Sequence, residues 1–470
     1  MISSKTGIFI GCLSVVNCLP LLSFSNKKEV GEVPSKPNVI IIVADDLGYG
    51  DVGFHGSDIK TPNLDRLAKE GVRLEQFYAC PMCSPTRAGL LTGRYPLRFG
   101  LMRSVIPPQR EFGIPEDEVT MAEMMDKAGY KNRGVIGKWH LGHRQQKWLP
   151  LNQGFTHHEG CYNGAVDYFD QKREGEKDWH QNFSVSKKQG YTTDLIGQAS
   201  VDFIKSVPTS EPFFLYVPFT APHSPFQAKD EDLQKYPDRN GVRRTYAAMV
   251  DCMDQNIGKI LDCIKDRGQL ENTFILFFSD NGGVEKAGDN GPLKGFKLTP
   301  YQGGINVAAA ACWPDGGISG GRIINSLMGY IDVLPTLLEV VGYRTEQTLD
   351  GKSFLSAVQG RESDNREWFT YLDQNNEKIE QLSVIDKKWK LIWRRNASDN
   401  QTAFEEAELY DLSVDPFEAN DLSEKYPELV QQLQAKIDHF YRLKFEDQIP
   451  RYSEKEKLSG PVIPDWQPVK

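Results

Sequence analysis

Cysteine is scarce, 8 of 470 residues, far too few for a disulfide-stapled scaffold, so the core has to come from apolar burial. Positive charge is not in excess either. Lys and Arg number 55 against 64 Asp and Glu, a net charge of −9, and no basic stripe runs along the chain, which excludes nucleic acid as a partner. Such a chain binds an anion only in a local cationic pocket. Beyond the N-terminal stretch no apolar run is long enough to span a bilayer, and no repeat or low-complexity tract occurs. What is present is ordinary globular composition, 39% hydrophobic, and a length that fits one large domain with a smaller companion at roughly 150 residues per domain.

The first residues read as an export signal. Lys5 supplies positive charge, Gly7 to Leu22 is apolar, and Ser23-Phe24-Ser25 is a small-x-small cleavage pattern. Asn17 and Pro20 interrupt the stretch and leave it short of the roughly 20 residues of a spanning helix. Residues 1–25 are therefore expected to be a signal peptide and 26–37 a polar linker, with a periplasmic or secreted mature protein. Lipidation at Cys18 is the alternative, with Asn17 an awkward residue before it.

Apolar runs then alternate with helical patterns. Val39 to Val43, Asn132 to Ile136, Phe213 to Val217 and Thr273 to Phe278 read as buried strands. Thr61 to Gly71, Met121 to Gly129, Leu195 to Ser206 and Tyr246 to Arg267 read as helices between them. The alternation predicts an α/β fold, a large mostly parallel sheet flanked by helices, over residues 38–362. After the charged stretch Gly360 to Arg366 come short alternating runs, Leu382 to Ile385 and Trp389 to Trp393, and an amphipathic pattern from Pro427 to Tyr441. These predict a smaller antiparallel sheet with one helix over 363–470.

Ligands of open α/β sheets gather beyond the carboxyl ends of the strands. There the sequence places Asp45-Asp46, Gly137-Lys138-Trp139-His140, His223 and Asp280-Asn281. Asp45, Asp46, Asp280 and Asn281 offer only oxygen donors, the preference of a hard cation such as Ca²⁺ or Mg²⁺. Taken singly, an Asp after a strand is more often a cap or turn residue. Two acid-rich strand ends in one sheet favour a metal.

Cys83-Ser84-Pro85-Thr86-Arg87 precedes Ala88-Gly89-Leu90-Leu91-Thr92-Gly93-Arg94. A Cys opening a helical segment with an Arg four residues on is a candidate nucleophile; a disulfide with Cys80 is the other reading, and Cys80 with Cys161 is a third pairing left open. Cys252 and Cys263 lie eleven residues apart in one helical stretch, about 16 Å at 1.5 Å per residue, and cannot bond each other.

The stretch resembles the signature of the type I sulfatases, C-x-P-x-R followed by L-x-T-G-R. NVIIIVADDLGYGD, TPNLDRLAKEG, GKWHLG, FFLYVPFTAPHSP, FFSDNGG and ELYDLSVDPFEANDL resemble further segments of that family in the same order. GPLKGFKLTPYQGG is similar to the Lys-bearing segment of arylsulfatase B and the N-acetylgalactosamine sulfatases. The resemblance implies an alkaline-phosphatase-like fold and hydrolysis of sulfate monoesters. It implies that Cys83 is converted to formylglycine by a formylglycine-generating or anaerobic sulfatase-maturating enzyme. It further implies that Asp45, Asp46, Asp280, Asn281 and modified Cys83 hold Ca²⁺, that Arg87 polarises the aldehyde hydrate, and that Lys138 and Lys297 clamp the sulfate. His140 would be the base and His223 the acid for the leaving oxygen. The chain departs from the usual R-x-x-K and Tyr-Glu-Gly-Gly at Lys294 and Gln302, so Lys294 competes with Lys297.

His157 to His180 is rich in aromatic, amide and charged residues without periodicity and reads as a long functional loop. His143, Asn163 and Asp167 are candidates for sugar hydroxyls. The resemblance favours a sulfated carbohydrate, with a galactose-type or N-acetylgalactosamine 4-sulfate foremost. The rivals are a phosphomono- or phosphodiesterase of the alkaline phosphatase superfamily, and a sulfated-glycan binder without catalysis if Cys83 stays a thiol.

Overall fold

The computed structural model describes residues 36–361, 366–373, 379–396 and 405–454. The expected signal peptide and the expected boundary at residue 362 fall outside them. The strand Asn38–Ala44 is the hub of a ten-stranded sheet. It pairs in parallel with Phe213–Pro218 on one side and Thr273–Ser279 on the other, and Asn132–Lys138 lies parallel beyond Phe213–Pro218. All seven residues of Asn38–Ala44 are buried, because both faces are covered. Val39, Ile41 and Val43 pack into a core shared with Ala88, Leu90 and Leu91 of the helix Cys83–Thr92. Ile40, Ile42 and Ala44 pack into the opposite core, with Ile196 of Thr192–Ser206 and Met249 of Gly241–Asp266. A continuous apolar run is what a strand buried on both faces requires.

The sheet is mixed at its margins. Ala309–Cys312 runs antiparallel to Thr273–Ser279, and the far edge is closed by His157–Cys161, His180–Gln181 and Ser184–Val185. The α/β class and the mostly parallel sheet agree with the sequence reading. One expectation is corrected in part: His157 to His180, read as a long functional loop, is not loop throughout. It opens with the strand His157–Cys161, parallel to Asn132–Lys138. Its polar residues are neutralised internally, Asp178 accepting from the backbone N–H groups of Tyr162 and Asn163 at 2.9 Å each, so no apolar alternation marks it.

Near the C-terminus, Glu367–Leu372, Ile379–Asp386, Trp389–Asn396 and Glu405–Asp411 form an antiparallel meander. The helix Pro427–Tyr441 buries Leu433, Ile437 and Phe440, and Phe440 stacks on Phe369 of the meander with ring centroids 4.7 Å apart.

Candidate active site

Register creates the centre. Ala44 pairs with Ser279 as the last residues of their parallel strands, so Asp45-Asp46 and Asp280-Asn281 leave the sheet side by side. The Asp280 N–H donates to the Ala44 carbonyl at 3.0 Å, and the Asp46 N–H lies 3.4 Å from Asp280 Oδ1. Asp46 has φ 66, the left-handed region that a non-Gly residue enters only where its surroundings hold it. Asn281 Nδ2 donates to Asp46 Oδ1 at 2.8 Å. The third strand runs two residues further than its apolar pattern indicates, so Lys138 ends it and does not follow it. A Lys in such a place is ordinarily solvated; Lys138 is fully buried, with Nζ 2.5 Å from Asp45 Oδ2.

Cys83 opens a ten-residue helix in which every residue is buried. The residue before the helix, Met82, contributes no side-chain cap, so the positive end of the helix is left to whatever anion occupies the space before it. One turn on, Arg87 donates through Nε and Nη2 to Asp280 Oδ2 at 3.0 and 2.7 Å, and through Nη1 to the Lys138 carbonyl at 3.2 Å. Lys297 Nζ lies 2.6 Å from Asp46 Oδ1 and 3.5 Å from Cys83 Sγ. Burial pushes the Cys83 thiol up to about 11 against the pull of Lys138 and Lys297. The side chain as encoded is thus an uncharged thiol near neutrality.

The two histidines are held differently. His140 has φ 57; its Nε2 is 3.1 Å from the Ile106 carbonyl, and its buried Nδ1 has no hydrogen-bond partner. A Cβ at Gly164 would meet the His140 ring at 2.4 Å, so only glycine fits there. Burial, with Lys138 and Arg87 nearby, holds His140 well below the usual histidine value. His223 donates from Nδ1 to the Ser224 carbonyl at 2.6 Å, which leaves Nε2 facing Asp46 Oδ2 at 3.7 Å.

The donors fit a hard cation. Oδ1 of Asp45 and Oδ1 of Asn281 are buried without a hydrogen-bond partner, an expense a protein avoids unless something else meets those oxygens. Ligand atoms of Asp45, Asp46, Cys83 and His223 lie within 4.8 Å of one another. Burial pushes Asp45 up to about 7 despite Lys138, a penalty that a nearby divalent charge would relieve.

Asp46, Cys83, His140, His223 and Lys297 line a cavity of about 700 Å³ together with Asp167, Lys172, Arg173, Glu174 and Tyr452, whereas Asp45, Arg87, Lys138, Asp280 and Asn281 are not among its lining residues. Of the substrate candidates, Asp167 lines it and accepts from Gln227 Nε2 at 2.6 Å. His143 and Asn163 are buried and are not among the lining residues; Asn163 Nδ2 is spent on Asp178 at 2.9 Å. Lys294 points elsewhere, its Nζ 2.9 Å from the Tyr410 hydroxyl and 3.4 Å from Glu408. Tyr301 and Gln302, after Lys297, are also tied to the C-terminal region: the Tyr301 hydroxyl donates to Glu408 at 2.7 Å, and the Gln302 N–H donates to Glu418 at 2.7 Å. The sequence reading included Lys172 and Arg173 in its long functional loop without naming them, and it missed Tyr452 and the apolar wall from Val105 to Pro108. No local pattern singles them out.

Comparison with known proteins gives this geometry its context. Residues 37–343 match the sulfatase family, and residues 297–442 match the C-terminal region of N-sulphoglucosamine sulphohydrolase. Arylsulfatase J of Mus musculus is 30% identical, covering 93% of this chain and 82% of its own length. N-acetylgalactosamine-6-sulfatase of Homo sapiens is 36% identical, covering 70% of this chain and 67% of its own. Among solved structures, Ps i-CgsB in complex with k-i-k-neocarrahexaose superposes with a TM-score of 0.80 at 31% identity, covering 88% of this chain and 94% of that one. With the family match spanning most of the chain and the signature Cys83-Ser84-Pro85-Thr86-Arg87 at the centre of the site, the chain belongs to the sulfatase family and is a sulfuric ester hydrolase.

Proposed function

We propose that the protein hydrolyses sulfate monoesters of saccharides, with Cys83 converted to formylglycine and Ca²⁺ held by Asp45, Asp46, Asp280, Asn281 and the modified Cys83. The observation that carries this reading is the setting of Cys83: the uncapped start of a buried helix, one turn before Arg87, 3.5 Å from Lys297 and lining a cavity. The relatives' names support a saccharide, one being an N-acetylgalactosamine-6-sulfatase and another a structure with a neocarrahexaose. A galactose-type or N-acetylgalactosamine sulfate is the substrate class proposed, with the 4-position tested beside the 6-position.

The modified Cys83 would supply an oxygen nucleophile toward sulfur, and Ca²⁺ held by Asp45, Asp46, Asp280 and Asn281 would supply positive charge against the sulfate oxygens. The chain does the rest. Lys138 and Lys297 bind non-bridging oxygens, which gain charge as the ester bond breaks. Arg87, fixed by Asp280, orients the modified side chain. Burial holds His223 down at about 3, and it would take a second proton, at Nε2, for the leaving alcohol oxygen only with the anionic sulfate bound beside it. His140 takes the proton of the remaining hydroxyl at Nδ1, the ring atom that has no other partner.

Cys83 is only 2% exposed, so the maturating enzyme has to act before the helix is buried. Residues 1–25 are read as the export signal that takes the chain to the periplasm or beyond, and residues from 363 as a companion domain. No helix among the described residues is long and apolar enough to cross a membrane.

Mass spectrometry of the Cys83 peptide, combined with turnover of N-acetylgalactosamine 4- and 6-sulfates, carrageenan oligosaccharides, an aryl sulfate and an aryl phosphate, tests the reading. An aldehyde at position 83 with release of sulfate from a saccharide is expected. An unmodified thiol in active protein, or faster turnover of the phosphate, overturns it.

A further inference from the structure

The lining of the cavity includes a residue, Tyr452, from a segment that neither the signature nor the sheet supplies. After the helix Pro427–Tyr441 the chain returns to the main body as a strap. The Phe445 N–H donates to the Leu97 carbonyl at 3.0 Å and the Ile449 N–H to the Gly100 carbonyl at 2.8 Å, with Ile449 fully buried. A Cβ at Gly100, whose φ is 81, would stand 2.2 Å from the Asp447 carbonyl oxygen, so the strap lies directly on that glycine. Arg451 forms two 2.9 Å hydrogen bonds to the buried Asp373, and Arg110 Nη2 donates to the carbonyls of Arg451 at 3.3 Å and Glu454 at 2.8 Å. These bonds bracket Tyr452, which lines the cavity of Cys83 and is still 41% exposed.

An aromatic ring left partly exposed while the residues around it are anchored costs little further conformational entropy when it meets a ligand. Ile106 to Pro108 on the cavity wall are apolar, whereas Lys172, Arg173 and Glu174 are charged, with Lys172 paired to Asp170 at 3.1 Å and Arg173 to Glu174 at 3.6 Å. One apolar aromatic surface and one polar surface suit a pyranose ring, which presents C–H groups on its faces and hydroxyls at its edge. We infer that Tyr452 is a specificity-determining residue, stacking on a sugar unit beyond the one that bears the scissile sulfate, so that the enzyme prefers oligosaccharides to isolated sulfated sugars. This inference rests on the proposed action on saccharide sulfates.

The test compares Tyr452→Ala, Tyr452→Phe and the unaltered enzyme on a sulfated monosaccharide, the matching tetrasaccharide and 4-methylumbelliferyl sulfate. Tyr452→Ala is expected to raise KM for the tetrasaccharide about tenfold more than KM for the aryl sulfate, a factor in the range of one aromatic contact. The kcat on the tetrasaccharide should change less than KM, and Tyr452→Phe should restore the tetrasaccharide KM because the ring face is kept. An equal KM rise on all three substrates, or none on the tetrasaccharide, overturns the role of Tyr452 while leaving saccharide hydrolysis intact. An unaltered enzyme that cleaves the aryl sulfate and no saccharide overturns the substrate reading and this inference with it.

Discussion

Arg87 gives two N–H groups to a single oxygen of Asp280, Nε at 3.0 Å and Nη2 at 2.7 Å, and both side chains are fully buried. The pair joins the helix that carries Cys83 to the strand end that carries Asn281, so the proposed nucleophile and the proposed metal ligands share one brace. A lysine keeps the charge but loses the planar fork. Arg87→Lys is expected to lower kcat/KM by about a hundredfold or more, read with an aryl sulfate. Arg87→Ala leaves Asp280 buried without its partner and should cost about 3–5 kcal/mol in chemical denaturation. A fully active Arg87→Lys enzyme would show that the fork does not matter.

Lys294 and Lys297 are three residues apart and have different neighbours. Lys297 faces Cys83, while Lys294 sits over the Tyr301 ring at 4.2 Å and beside Tyr410. Lys297→Ala should lower kcat by about 10²–10³, the usual loss on removing one donor to a developing anion. Lys294→Ala should act mainly on stability, by roughly 1 kcal/mol. Steady-state kinetics beside thermal melts separate the two; a larger kinetic loss at Lys294 would reverse the assignment.

A cation bound by Asp45, Asp46, Asp280 and Asn281 would stabilise the folded chain by mass action. Stripping with EGTA is expected to abolish sulfate release, and adding Ca²⁺ to restore it. Calcium at about a hundred times its dissociation constant should raise folding stability by about 2.7 kcal/mol. Asp45→Asn should shrink that rise. Melting temperatures indifferent to both EGTA and Ca²⁺ would count against a structural cation there.

His158 lies on the strand His157–Cys161, stacked on Tyr162 with ring centroids 5.1 Å apart, and both of its ring nitrogens are buried without partners. Burial, then the neighbouring His180, holds it down at about 3, against about 6.5 in an unfolded chain. A depressed histidine stabilises the fold fully above the unfolded value. That contribution is lost as pH falls from about 6.5 toward 3, by up to about 1.4 kcal/mol per pH unit. The loss of stability between about pH 7.5 and about pH 5.5 should therefore be roughly 1 kcal/mol smaller in His158→Phe than in the unaltered protein. Equal losses would mean that His158 is hydrated when folded.

Much of the fold was legible because strands covered on both faces need continuous apolar runs, as Val39 to Val43 and Thr273 to Phe278 display. The strand His157–Cys161 was not legible, since its polar neighbours are neutralised by contacts such as Asn163 with Asp178 that come from within the same stretch but obey no periodicity. At the site, residue types and strand-end positions were enough to nominate Asp45, Asp46, Lys138, His140, His223, Asp280 and Asn281. Signature spacing was enough for Cys83 and Arg87.

By itself, then, the sequence determined the α/β class and the chemistry available at the strands' ends, because periodicity and side-chain type are local properties. Only the tertiary structure decided which of two lysines faces Cys83, that Asn163 is spent on Asp178, and that Tyr452 lines the cavity. Those outcomes depend on register, on the strap laid over Gly100 and on competition between partners distant in the chain. Such long-range contacts leave no periodic trace in the order of residues.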